Sequence, residues 1–153
     1  MWFVLLACAG DPLAASGEAY VGEMKPLFEE NRALGEQFLQ LASKVKKNEV
    51  DPAAVAAAVS DAAVVKAADM ARRAAGVHPT DSQIAGAHGE LVMAWKHRAE
   101  AYTAVSTAWK ANDTAAFDKA VLDAGKASDE EASAAEHLSD VLVPLGVPVD
   151  LYP

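Results

Sequence analysis

Two groups of residues in this chain have the types and the spacing to do chemistry, and both lie on helical patterns, His137 one position off its stripe. The first centres on Arg98. From Thr80 to Lys110 the larger side chains recur as Ile84, His88, Leu91, Trp95, Arg98, Tyr102, Val105 and Trp109, stepping four, three, four, three. That spacing holds one stripe of a helix against a partner helix, and His88 and Arg98 are its polar members. Ordering the helical stripes by depth sets Asn31, Lys66, Arg98 and Ser128 at similar height near the middle, with Asp69 and Glu131 about a turn away. Gly35 and Gly125, near the same height, leave room for a guanidinium. A guanidinium directed inward needs a carboxylate and further acceptors, and Glu131 or Asp69 supplies the charge. Three outcomes follow: a buried polar layer that fixes helix register, an arginine that bends out to solvent along its stem, or a pocket for a small anionic ligand. In the last of these Arg98 grips the ligand, with Asn31, Glu131, Asp69 and Ser128 around it.

The second group is Met24, His88 and His137, which fall at almost equal height on the first, third and fourth helical patterns. A thioether and imidazoles meeting inside a bundle can ligate haem iron. The plainer reading makes Met24 core filler and His88 a satisfied, partly buried histidine.

The elements that must position these residues are helices. Tyr20, Met24, Leu27, Asn31, Leu34, Phe38, Leu41 and Val45 repeat the four-three spacing from near Ser16 to Lys47, with Pro26 marking a kink or a true start. Asp51-Pro52 opens a second helix that runs to about Ala75, with Gly76 as its stop and Pro79 beyond it. Thr80-Asp81-Ser82-Gln83 is a capping box for the third helix, and Asp113 caps a fourth that ends before Pro144. The short connections make consecutive helices antiparallel neighbours, so the expected fold is all-α: an up-down-up-down four-helix bundle. It occupies residues 18–143, between an N-terminal tether (1–17) and an irregular apolar tail (144–153) that folds back on the bundle.

Composition narrows the function. The 153 residues carry a net charge of −9, which opposes nucleic-acid backbones and anionic membrane surfaces. Apolar residues make up 52% and aromatics only 7%, a balance rich in alanine that suits closely approaching helices. Glu-x-x-His pairs, His-Glu-x-x-His, Gly-x-Ser-x-Gly and phosphate-cradling glycine loops are all missing from the sequence. His97, Glu100 and the Asp129-Glu130 pair read as solvated helix face, and His78 as a loop residue. No nucleophile has a base placed beside it, so the expectation is a non-enzymatic protein without cofactor or metal.

The apolar run Met1 to Ala7 ends in Leu5-Leu6-Ala7-Cys8, which resembles the lipobox of bacterial lipoproteins. The resemblance implies that Cys8 is lipidated and becomes the mature N-terminus. It covers these residues alone, and the run lacks a basic n-region, which a start placed further upstream would supply. By the same resemblance Ala9 implies retention at the periplasmic side of the outer membrane, the alternative being a cytoplasmic chain without lipid. With its tether and acidic alanine-rich bundle, the chain resembles in style the small uncharacterised bacterial lipoproteins. Such a protein works by binding an envelope protein or a small ligand. The second group of residues is similar, by topology only, to the cytochrome b562 family of haem-binding bundles. That likeness implies haem b held by Met24 and His137, with His88 as a further candidate ligand, and an electron-carrier function.

Overall fold

The computed structural model describes residues 12–45 and 52–147, without the side chains of residues 37–45. Helix α1 spans Pro12–Val45, α2 Pro52–Ala58, α3 Asp61–Ala74, α4 Ser82–Lys110 and α5 Thr114–Leu142, followed by a 3-10 turn at Val143–Leu145. The described residues contain no strand. α2 and α3 together form the second arm of an antiparallel, up-down-up-down bundle. α4 packs along most of α5, α3 lies against α4, and α1 closes on α3 and the final turn.

Three boundaries differ from those read off the sequence, each for a local reason. α1 starts at Pro12, so the described part of the stretch read as a tether is helical. Proline is well suited to a first helical position because its missing N–H has no partner there anyway. The helix then runs without interruption through Pro26, which is exposed and cannot donate to the carbonyl of Gly22. The second arm is not one helix but two. Ser60 is extended (φ −61°, ψ 162°), and its hydroxyl accepts from the Ala63 amide at 3.4 Å, capping α3. The apolar spacing continues across the break because Val55 and Val59 both remain buried.

The other caps set the directions of the long helices. Asp81, rather than Thr80, caps α4, its carboxylate accepting from the amides of Gln83 and Ile84 at 2.9 and 3.0 Å. Thr80 instead meets Ser16 of α1 through its hydroxyl at 3.1 Å. Asp113 caps α5 as expected, accepting from Ala116, and Asn112 before it takes the left-handed conformation (φ 53°) that asparagine tolerates. After Leu142 the chain turns at Gly146 (φ 75°) and lays buried Val147 on Gly17. A Cβ at Gly17 would sit 3.1 Å from a Val147 methyl, so a side chain there would push the valine back by a few tenths of an ångström. The tail therefore folds back on the bundle as far as it is described, while residues 148–153 lie outside the described residues.

The core is split in two. One half gathers Tyr20, Met24, Met70, Ile84, Trp95 and Leu138. The other gathers Leu34, Val55, Val59, Tyr102, Val105 and Phe117. On α1, α4 and α5 a polar residue stands between the halves: Asn31 between Phe28 and Leu34, Arg98 between Trp95 and Tyr102, and Glu131 between Ala124 and Ala134. Alanines fill much of both halves, which lets the helix axes come close.

Pro26→Ala restores a backbone donor inside α1 at a position with no packing role. It is expected to raise stability by up to about 3 kcal/mol, read from the urea midpoint. A variant no more stable than the parent would show that α1 is shaped around its proline.

Candidate functional site

Arg98, on the inner face of α4, is only 4% exposed. Its Nη1 donates to Glu131 Oε2 at 2.6 Å, and its Nη2 donates to Asn31 Oδ1. Asn31 closes the ring by donating from Nδ2 to Glu131 Oε1, and Trp95 Nε1 donates to the same oxygen at 3.1 Å. Three helices thus contribute one polar group each, with an indole added from one turn earlier on α4. Arg98 Nε has no hydrogen-bond partner among the described residues. One turn on, burial pushes the Tyr102 hydroxyl up to about 12, with Glu131 adding to the rise and Arg98 opposing it.

The sequence sets Asn31 level with Arg98 and offers Glu131, about a turn away, as one of two carboxylates, and the structure joins these three; Lys66, read at the same height, is exposed on α3. Trp95 is the partner that sequence reading passed over. The signal was available, since a buried indole N–H needs an acceptor and Glu131 stood at the right height. Asp69 and Ser128 do not join. Asp69 faces outward on α3, bonded to Arg72 at 2.5 Å and 3.6 Å from Arg73, and the Arg72 hydrogen bond holds its carboxyl below the usual range. Arg73 in turn reaches across to Glu30 of α1 at 2.9 Å. Ser128 is half-buried and makes no hydrogen bond to the layer.

Each terminal nitrogen of Arg98 bonds a protein oxygen, so an anion entering here would compete with the Glu131 carboxylate, and Nε is the donor left over. Chemically the layer is a register lock, in which a mismatched helix pairing would strand a buried charge.

The second group does not assemble as a ligand set. Met24 and His88 are in the core, but the His137 side chain is 49% exposed and bonds Glu90 Oε2 at 2.8 Å. The next residue, Leu138, takes the core-facing position of α5. His88 is committed at both nitrogens. Its Nε2 lies 3.0 Å from the Ala74 carbonyl oxygen, which can only accept, so Nε2 carries the proton. Nδ1 therefore accepts from the Tyr20 hydroxyl at 3.1 Å. Burial, more than any other influence, lowers the His88 pKa below the ordinary 6.5, against hydrogen bonds to the Ala74 and Val77 backbone. Burial likewise raises the Tyr20 hydroxyl far above its ordinary value. Haem ligation by Met24 with His137 or His88 has no geometry to support it here. Among the described residues no group of three or more His, Cys, Asp or Glu side chains is placed to hold a metal ion.

The outer seam of α4 and α5 carries a pattern of its own. Glu90 and His97 on α4, and Glu130 and His137 on α5, are each seven residues apart. Antiparallel packing pairs each glutamate with the other helix's histidine, at 2.8 Å for Glu90–His137 and 2.6 Å for His97–Glu130. Glu130 is thus solvated, as the sequence indicates, while its neighbour Glu131 turns inward.

Polar layer, committed histidine and solvated seam define the class: an all-α antiparallel bundle with a bonded polar level across three of its helices. Set against protein-family models, curated proteins and solved structures, the chain matches none.

Two outcomes test this account. Glu131→Leu strands the Arg98 charge and is expected to cost about 3–5 kcal/mol in urea denaturation, with most of it recovered in Glu131→Leu/Arg98→Met. Equal losses in both variants would mean that the layer is not coupled. For His88, the unfolded imidazole protonates near pH 6.5 and the folded one only at lower pH. Stability therefore falls as the pH drops below about 6.5, until the folded imidazole also titrates. His88→Gln is expected to flatten that part of the stability–pH curve, and an unchanged slope would assign it to other groups.

Proposed function

We propose that this protein is a non-enzymatic interaction module of the bacterial envelope, tethered by lipid on Cys8 and working through its outer surface. The observation that carries the tether is Leu5-Leu6-Ala7-Cys8 itself, which lies outside the described residues. Among the described helices none is long and apolar enough to cross a membrane. Binding through the surface is supported by the interior: Arg98, Glu131, Asn31 and Trp95 bond one another, leaving Arg98 Nε as the one buried donor of the layer without a partner, and His88 has a partner on each nitrogen. The net charge of −9 favours a cationic protein partner over nucleic acid.

Cys8→Ala tests the tether. Expressed in a Gram-negative host, the parent chain is expected in the outer-membrane fraction with acyl mass on Cys8, and the variant in the soluble fraction. Finding both soluble and unmodified would sink the lipoprotein reading and leave a helical interaction protein without lipid.

A further inference from the structure

Three adjoining hollows form a groove along the outer seam of α4 and α5, crossed by the Glu90–His137 and His97–Glu130 pairs. Its first section, about 640 Å³, is walled by Gly86, Gly89 and Met93 on one side and Ser133 and Ala134 on the other. A middle section of about 330 Å³ shares His97 and Glu130 with the first. It shares Glu100, Ala104 and Asp123 with a third section of about 510 Å³, which reaches Ala111. From Gly86 to Ala111 the groove follows α4 for about seven turns, the length of a helix of roughly 25 residues.

Two features have no explanation inside the chain. Glycine is costly in a helix interior, yet Gly86 and Gly89 both sit within α4, and a Cβ at either would meet nothing within 4 Å; the same holds for Gly22, Gly35 and Gly125, but only the α4 pair stands together on the groove wall. Neither is needed for packing within the bundle, and both leave bare backbone on the groove wall. Met93 beside them is 49% exposed, a pliable apolar side chain with no core to fill.

The charges say what fits. Asp123 is neutralised within α5 by Lys119 and Lys126. Glu90 and Glu130 are met only by the imidazoles of His137 and His97, and Glu100 has no ion pair among the described residues. A second copy of the chain would bring another net charge of −9 onto this acidic rim, so self-pairing is opposed.

We infer that the groove is the docking site for a basic amphipathic helix of a partner protein. Its small or apolar face lies on the Gly86–Gly89–Met93 wall and the alanine floor, and its Lys or Arg side chains meet Glu90, Glu100 and Glu130. This names the partner class for the interaction module proposed above and rests on that reading, but not on lipidation of Cys8.

The test uses the full chain carrying Cys8→Ala, so that the fate of the tether cannot affect the result. The probe is a 25-residue synthetic helix, roughly the groove's length, with an alanine–leucine face flanked by lysines. A control peptide has glutamates in place of the lysines. In amide-resolved NMR titrations the lysine peptide is expected to shift residues from Gly86 to Ala111 and along the facing side of α5. Its affinity is expected to fall at least about tenfold, roughly 1.4 kcal/mol, in Gly86→Leu/Gly89→Leu, a variant checked by circular dichroism for parental helix content and thermal midpoint. Gly86→Ala/Gly89→Ala, a smaller filling, is the second variant should the leucines disturb the fold. Any of three results would overturn the inference: equal binding of the glutamate peptide, shifts centred on another face, or affinity unmoved in the folded filled-groove variant. A concentration-dependent self-complex that shifts the same amides would also overturn it, by giving the groove to a second copy.

Discussion

A positive charge placed inside the bundle is the constraint on which the rest depends. Arg98 cannot be left without a carboxylate, so Glu131 must come inward on α5, and Asn31 must stand opposite on α1 to complete both residues' bonds. Those needs fix the vertical alignment of three helices at one level. Alanine-rich apolar surfaces fix it poorly, because one Ala–Ala contact is much like the next a turn away. The polar layer supplies the discrimination that the two apolar halves lack. Its net contribution to stability is small, since desolvating both charges offsets much of their attraction; its worth lies in making other registers costly.

The same logic separates buried from exposed ion pairs in this molecule. Arg98 and Glu131 are enclosed with further donors around them, whereas Glu90–His137 and His97–Glu130 face water. Exposed pairs of this kind contribute little to stability and can exchange partners without unfolding anything. The chain thus has a polar level inside that cannot change and a polar seam outside that can.

Much of this was legible in the sequence, and the reasons for success and failure are physical. The four-three spacing identified the core-facing stripes, and counting residues along them set Asn31 level with Arg98 and offered Glu131 or Asp69 as its carboxylate. Equal height does not make a site unless the residues also share the core-facing stripe. His137 shares a height with Met24 and His88 yet stands one position off the stripe that Leu138 holds, and it faces away. Asp69 fails for the same reason. The break at Ser60 was hidden because Val55 and Val59 keep the apolar period running across it. Its only signal was the Ser60-Asp61 pair, a start-of-helix signature inside an alanine run. The groove along α4 and α5 was not legible, since alanine and glycine between helices read equally as close packing.

The contact of Val147 with Gly17 gives the object a polarity. It brings the last described residues of the chain against the second turn of α1, beside the Ser16–Thr80 bond at the entry to α4. Both ends of the described chain therefore lie at one pole. The opposite pole, where Asn112 turns α4 into α5, stands a full helix length away, about 44 Å for a 29-residue helix. Pro12 and Val147 thus mark one end of the object and the α4–α5 turn the other, with the α4–α5 seam running the length between them.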